Sequence, residues 1–384
     1  MKQAMKLLGV VVLFFYATSF SHAATSSPSL HWLTLPNPQM EVDGLPFYLQ
    51  NGGDLYRLSH KDDSTYPRRV VALAKEPSGA RIRFRTNSTT LAIRLEYPSP
   101  PHMANMQPFG QSGVDLYVGN TSWGTAIADK DAAPGKVYEH VYFNFTARPQ
   151  QARDITLYLP LYLGVKVVGI GVDEAATIER PLPFALPKPL VFYGTSITQG
   201  CCASRSGVSY AANLGRLFNL DFVNLGFSGA GKYEQSLAKT VAQIDAAAYI
   251  LDGSNFETGA ELNAALGPFI QTIRSAHPDT PILVVSSPYY PQETTSVTRE
   301  RNSGEKRDVT RNVVSTFIAH GDHHIQLIEG TDLLGPLETA GTTDGIHPND
   351  LGIEWMTRGY AKRLVTVLNL YDHPPAADFP AASK

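Results

Sequence analysis

Cysteine is nearly absent from this 384-residue chain: two occur, Cys201 and Cys202, and they are neighbours. That excludes the disulfide framework of a small secreted domain and a zinc site built from spaced cysteines. Adjacent cysteines also bridge poorly, because the eight-membered ring strains the disulfide torsion and the peptide inside it. Two small thiols packed behind a turn are expected instead. His323 and His324 are adjacent as well, a spacing that suits a solvated turn better than metal ligation, so no metal or organic cofactor is expected. A basic surplus is missing too. Lys and Arg number 32 against 35 Asp and Glu, and a formal net charge of −3 excludes nucleic acid as a partner held by charge. Finally, no apolar run reaches the roughly 20 residues of a membrane helix; residues 7–16 are followed by Thr18, Ser19 and Ser21.

That short run has a different meaning. Lys2 and Lys6 precede it and small residues ending Ser21, His22, Ala23 follow, which is the three-part pattern of a secretory signal cleaved after Ala23. The expectation is a periplasmic or secreted protein with a signal peptide at 1–23 and no stable membrane insertion after cleavage.

The length exceeds the roughly 250 to 300 residues at which single cores stop growing, so two domains are expected. Residues 27–178 form the first expected domain, and from about 27 to 172 the pattern has period two. Ala80, Ile82 and Phe84 alternate with arginines, a polar turn follows at 87–89, and Leu91, Ile93 and Leu95 alternate again, which predicts a hairpin. Further short strands at 114–118, 137–145, 155–159 and 165–172, separated by turn residues, predict an antiparallel β-sandwich. Tyr138, Tyr142 and Phe143 could stack on sugar rings but are expected as core or cross-strand pairs, and the sequons at Asn87, Asn120 and Asn144 carry no assigned function. At 179–189 four prolines rule out ladder and helix and predict a semi-rigid linker. Residues 190–371 then alternate strands (190–193, 221–224, 248–251, 281–285, 325–328) with helical patterns (207–218, 233–243, 260–275, 300–319, 353–370). This predicts an α/β domain with a parallel sheet covered by helices on both faces. The Pro- and Ala-rich tail, 372–384, is expected to fray.

A parallel sheet delivers the loops after successive strands to one edge. Here those loops read GTSITQG, GFSGAG, DGSNF and, near the end, TTDGIHPN. Ser196 in the first would project a hydroxyl beside unused helix-start N–H groups, as a nucleophile needs. Asp344 and His347 stand three residues apart, so the carboxylate can hold one ring nitrogen while the other takes the serine proton. The N–H groups of Ser196 and Gly229 and the amide of Asn255 could hold a tetrahedral oxyanion. Each feature alone also suits an ordinary turn; together, in order, they point to acyl transfer.

These four blocks resemble the SGNH (GDSL-type) hydrolases, whose Ser, Gly, Asn and His they match at Ser196, Gly229, Asn255 and His347, with Asp344 three residues before the last. The segment from Ser112 to Tyr117 is similar to the Gly-x-Asp-Leu-Tyr signature of an N-terminal β-domain found in one branch of that family. The resemblance implies a three-layer, flavodoxin-like hydrolase domain preceded by a jelly-roll-like sandwich, acting without cofactor. Two positions depart from the family pattern: Thr195 stands where Asp usually precedes the nucleophile, and Phe256 replaces the Asp that often follows the Asn.

The expected activity is that of a serine esterase removing small acyl groups, acetyl foremost, from carbohydrate or another small ester. Alternatives are acyl transfer from the same intermediate to another alcohol, or a carbohydrate-binding envelope protein with a vestigial hydrolase domain.

Overall fold

The computed structural model describes residues 29–144, 151–253 and 255–370. The expected signal segment 1–23 and tail 372–384 lie outside them. Ten strands come first: β1 (Leu30–Leu33), β2 (Glu41–Asp43), β3 (Arg81–Thr86), β4 (Thr90–Glu96), β5 (Val114–Val118), β6 (Thr121–Ala126), β7 (Val137–Asn144), β8 (Arg153–Tyr158), β9 (Lys166–Asp173) and β10 (Ile178–Glu179). They form two antiparallel sheets, ordered β1-β9-β4-β7 and β10-β3-β8-β5-β6, with β2 also paired to β3. Their facing sides bury Ile82, Phe84, Leu91, Ile93, Leu95, Leu116, Leu157 and Ile170 in one core. Each such side chain withdrawn from water stabilises the fold by about 1.5–3 kcal/mol.

The expected hairpin is not formed. β3 and β4 belong to different sheets, and residues 87–89 cross from one to the other. Asp173, at the end of β9, holds the crossing by accepting from Thr89 N at 2.6 Å and Thr89 Oγ1 at 2.7 Å. Alternation decides which side chains face the core, and a hairpin or an arch between facing sheets satisfies it equally.

The arginines that alternate along β3 are not on a solvated face. Arg81 is buried, pairs with Asp221 and donates to Phe222 O at 3.1 Å. Arg83 donates to Leu182 O and lies 3.8 Å over the Phe184 ring. The outer side of β3 is therefore an interface, and the Pro-rich stretch 179–189 is pinned to it.

Two short helices, α1 (Arg68–Ala74) and α2 (Pro108–Ser112), interrupt the sandwich segment. The second half begins with β11 (Leu190–Gly194), the single turn α3 (Ser196–Gln199) and α4 (Tyr210–Phe218). It continues through β12 (Phe222–Gly226), α5 (Gln235–Val241), β13 (Ala248–Asp252), α6 (Gly259–Ala276), β14 (Ile282–Val285), α7 (Val297–Ala319), β15 (Ile325–Ile328) and α8 (Asp350–Val367). Its five strands are parallel in the order β12-β11-β13-β14-β15. Every residue of β11 to β14 is buried, which is why those strands read as unbroken apolar runs.

Helices α5, α6 and α7 cover one face of this sheet, and α4 and α8 the other. Both cores continue into the first half of the chain: Phe47, Tyr56, Leu58, Tyr66 and Val70 join one, and Met106, Tyr117, Tyr158, Leu161 and Tyr162 the other. Asp115 of the Gly-x-Asp-Leu-Tyr segment is fully buried in this junction. It accepts from Arg205 at 2.8 Å, the Gly207 amide at 3.0 Å and Thr125 at 2.9 Å.

Candidate active site

The strand order reverses at β11, with β12 on one side and β13 on the other, and open α/β sheets bind ligands beyond the carboxyl ends of such a pair. Gly194, the last residue of β11, lies opposite both Gly226 and Asp252, the last residues of β12 and β13. The loops carrying Ser196, Gly229 and Asn255 therefore leave one edge side by side.

Ser196 is the first residue of α3, a position whose N–H has no carbonyl four residues back to bond. The turn is compressed against β12: a Cβ on Gly226 would sit 2.2 Å from Gln199 N, so only glycine fits there. Ser196 Oγ lies 2.8 Å from His347 Nε2, and His347 Nδ1 lies 2.7 Å from Asp344 Oδ2. With Asp344 ionised, Nδ1 carries the ring proton and Nε2 accepts from the serine hydroxyl.

Asp344 is the most heavily engaged group of the site. Its other oxygen accepts from the amides of Ile346 at 3.1 Å and His347 at 2.9 Å, and Oδ2 also accepts from Asn105 Nδ2 at 2.9 Å. Partial burial pushes this carboxyl upward, but the His347 amide, Asn105 and the His347 ring outweigh it and hold Asp344 well below the usual carboxylate range. The loop is stapled in place by Asn349, the N-cap of α8, which accepts from the Leu351 and Gly352 amides at 3.1 and 3.2 Å.

Gly229 sits at φ +64°, in the left-handed region that favours glycine. Its neighbours are committed: the Ser228 amide donates to Gln199 Oε1 at 2.9 Å and the Ala230 amide to Phe227 O at 3.0 Å. The Gly229 amide has no hydrogen-bond partner among the described residues. Asn255 is exposed and its amide likewise has none, while Phe256 beside it stacks on Tyr233 at 6.1 Å and packs on the core. The third block thus has an apolar plug where the family pattern often has Asp.

The structure brings Ser196, His347 and Asp344 into direct contact, and sets Gly229 and Asn255 on adjacent loops at the same edge. Sequence reasoning missed the residues that hold these loops. Arg57, buried, donates to Gly226 O at 2.6 Å and Asn224 O at 3.1 Å. Tyr162 donates to Ser196 O at 3.0 Å, Arg69 to Ser228 O at 3.0 Å, and Glu76 accepts from Gln199. With Asn105, all of them come from the first half of the chain, and no motif or periodicity marks them.

Asp252 is a different omission, and one with a signal: a carboxylate ending an otherwise apolar strand. It is buried, accepts from Tyr360 at 3.3 Å, and burial pushes its carboxyl up to about 7 despite hydrogen bonds from Tyr360, Thr198 and Tyr210. Among the aromatic residues of loop 286–292, Tyr290 is buried under Arg299 at 4.3 Å, and Tyr289 is half-buried.

Residues 187–368 match the GDSL-like lipase/acylhydrolase family, and residues 30–178 match the GxDLY N-terminus of SGNH-hydrolase-type esterases. No curated protein matches the chain. Among solved structures, a putative GDSL-like lipase from Bacteroides ovatus is 29% identical at a TM-score of 0.79, over 89% of this chain and 98% of its own. The salicylyl-acyltransferase SsfX3 from a tetracycline biosynthetic pathway is 24% identical at a TM-score of 0.73, over 90% of this chain and 99% of its own. A family two carbohydrate esterase from Clostridium thermocellum, in complex with cellohexaose, shares the fold at 15% identity and a TM-score of 0.58, over 76% of this chain and 93% of its own. The two matched segments together place this chain in the SGNH (GDSL-type) esterase family, in the branch with an N-terminal GxDLY domain.

Proposed function

We propose that this esterase hydrolyses small acyl esters, acetyl foremost, on carbohydrate, through a Ser196-His347-Asp344 triad and a covalent acyl-enzyme. The single observation that carries the reading is the pair of hydrogen bonds, 2.8 and 2.7 Å, linking Ser196 Oγ to His347 and His347 to Asp344. Ser196 Oγ attacks the ester carbonyl while His347 Nε2 takes its proton, and Asp344 stabilises the imidazolium that forms. The carbonyl oxygen, now negative, accepts from the amides of Ser196 and Gly229 and from the Asn255 side chain. The intermediate collapses as His347 returns the proton to the leaving alcohol. Water then repeats the sequence on the acyl-enzyme, releasing the acid and regenerating Ser196.

The carbohydrate part of the reading rests on the pairing of a β-sandwich with the parallel sheet, an architecture that family two carbohydrate esterases share. Export by the segment 1–23 fits a polymeric substrate outside the cytoplasm; no helix among the described residues is long and apolar enough to cross a membrane.

Acetate release from acetylated polysaccharides by wild type and Ser196→Ala tests both halves. Loss of about 10⁴-fold or more in turnover, with the melting temperature unchanged, is expected for the variant. Equal rates would overturn the triad. Activity confined to long-chain esters would overturn the substrate, and an acylated product with an alcohol acceptor present would identify transfer in place of hydrolysis.

A further inference from the structure

The two cysteines are not merely small core residues. Both are buried, and Cys201 Sγ lies 3.1 Å from Cys202 Sγ, at the end of the turn that carries Ser196. Cys202 sits at φ +69°, in the left-handed region. His347, 145 residues further on, completes the group: one donor atom from each of Cys201, Cys202 and His347 lies within 4.8 Å of the other two. Two sulfurs and an imidazole nitrogen are the donor set that selects zinc and its heavier relatives over magnesium or calcium. A tetrahedral ion with bonds of about 2.3 Å to sulfur and 2.0 Å to nitrogen separates its donors by roughly 3.5 to 3.8 Å. The observed spread, 3.1 Å to at most 4.8 Å, brackets that value, so the donors already stand near the separation a bound ion needs.

We propose that Cys201, Cys202 and His347 form a binding site for a thiophilic divalent cation of the Zn²⁺ or Cd²⁺ class, and that its occupation switches the triad off. The switch follows from His347. Nε2 is committed to Ser196 and Nδ1 to Asp344, so coordination through either nitrogen breaks one of the two bonds. The step involves no redox change: each thiol releases a proton to solvent on forming its metal bond, and the histidine offers a lone pair. Asn105 binds both parts of this neighbourhood, donating to Asp344 at 2.9 Å and accepting from Cys202 Sγ at 3.1 Å through its carbonyl.

Only the inhibition rests on the catalytic reading; binding stands alone. Titration of the full chain with CdCl₂ separates the two, followed by the ultraviolet thiolate-to-cadmium charge-transfer band and, in parallel, by ester hydrolysis. Wild type is expected to bind one ion, develop the band, lose activity in step with it and recover both on addition of EDTA. The Cys201→Ala/Cys202→Ala double variant is expected to hydrolyse ester at near the wild-type rate, to give no band, and to need at least about tenfold more cadmium for inhibition. His347→Ala is expected to keep the band with affinity weakened about tenfold or more. Absence of the band in wild type, undiminished cadmium sensitivity in the double variant, or unchanged affinity in His347→Ala would each overturn the site. If the double variant does not fold, Cys201→Ala alone carries the test, since it removes one ligand and must weaken binding.

Discussion

The loop after β12 and the loop after β13 both supply a proposed oxyanion donor, and they are held very differently. Around Gly229, Gly226 O accepts from Arg57, the Phe227 amide donates to Gly194 O, the Ser228 amide donates to Gln199, and Ser228 O accepts from Arg69. The loop after β13 is fixed at its two ends: Asp252 is buried under Tyr360, the Gly253 amide donates to Tyr233, and Thr258 caps α6. Asn255, between these ends, is exposed and unpartnered among the described residues. One donor is aimed before substrate arrives; the other is free to be aimed by it. Preorganised donors act without reorganisation in the transition state, so the two are expected to contribute in different ways. Two of the four anchors of the pinned loop, Arg57 and Arg69, come from the first half of the chain, which ties the sandwich segment to the candidate site.

The largest expected effect concerns the anchored root of the β13 loop. Asp252 titrates at about 7 in the folded chain against 3.8 for an ordinary aspartate, so the unfolded state ionises first as pH rises. The Asp252 contribution to stability therefore falls between about pH 4 and 7, and Asp252→Asn, which cannot ionise, is spared that fall. Thermal unfolding at several pH values should show the variant gaining on wild type across this window, by at most about 4 kcal/mol. A constant difference would show that the root is not held by a neutral carboxyl.

Next comes the tip of the same loop. Asn255→Ala should lower kcat by about 100- to 1000-fold with little change in KM, since the amide meets charge only in the transition state. A loss confined to KM would recast Asn255 as a substrate-binding group and break the comparison.

The smallest effect concerns a third loop, the one carrying Asp344, which like the β12 loop is held by a residue from the first half of the chain. Asn105→Ala removes one hydrogen bond to the ionised Asp344, worth about 1.5–3 kcal/mol, or roughly 10- to 100-fold in kcat/KM. A carboxylate freed of one donor also holds the imidazolium proton more tightly, so the acid limb of the pH–rate profile should move to higher pH. An unshifted profile would reduce Asn105 to a packing role.

Much of this molecule could be read before folding. Strand periodicity named the core residues of both halves, because burial leaves a local mark every second residue in the sandwich and an unbroken apolar run in the parallel sheet. The four loops stood out because turns that would expose a nucleophile or its partners need Gly, Ser, Asn and Asp at fixed positions. Partnership across the chain left no such mark. Ile82 and Leu91 read as inward-facing whether their strands formed a hairpin or an arch, and only the pairing of β3 with β8 and β4 with β9 settled which. The alternation left the arginines of β3 without an assigned partner, and only the fold set Arg81 against Asp221 and Arg83 over Phe184.

What the sequence determined by itself is the set of candidate reacting groups and the sheet that presents them, since both depend on short-range rules of turn and period. What the tertiary structure decided is their support: Asn105 reaches Asp344 across 239 residues, Arg57 reaches Gly226 across 169, and Cys201 and Cys202 come to rest against His347. Those contacts exist because two cores merge along a junction that buries polar groups, and each buried donor or acceptor there had to find its partner wherever the fold placed one.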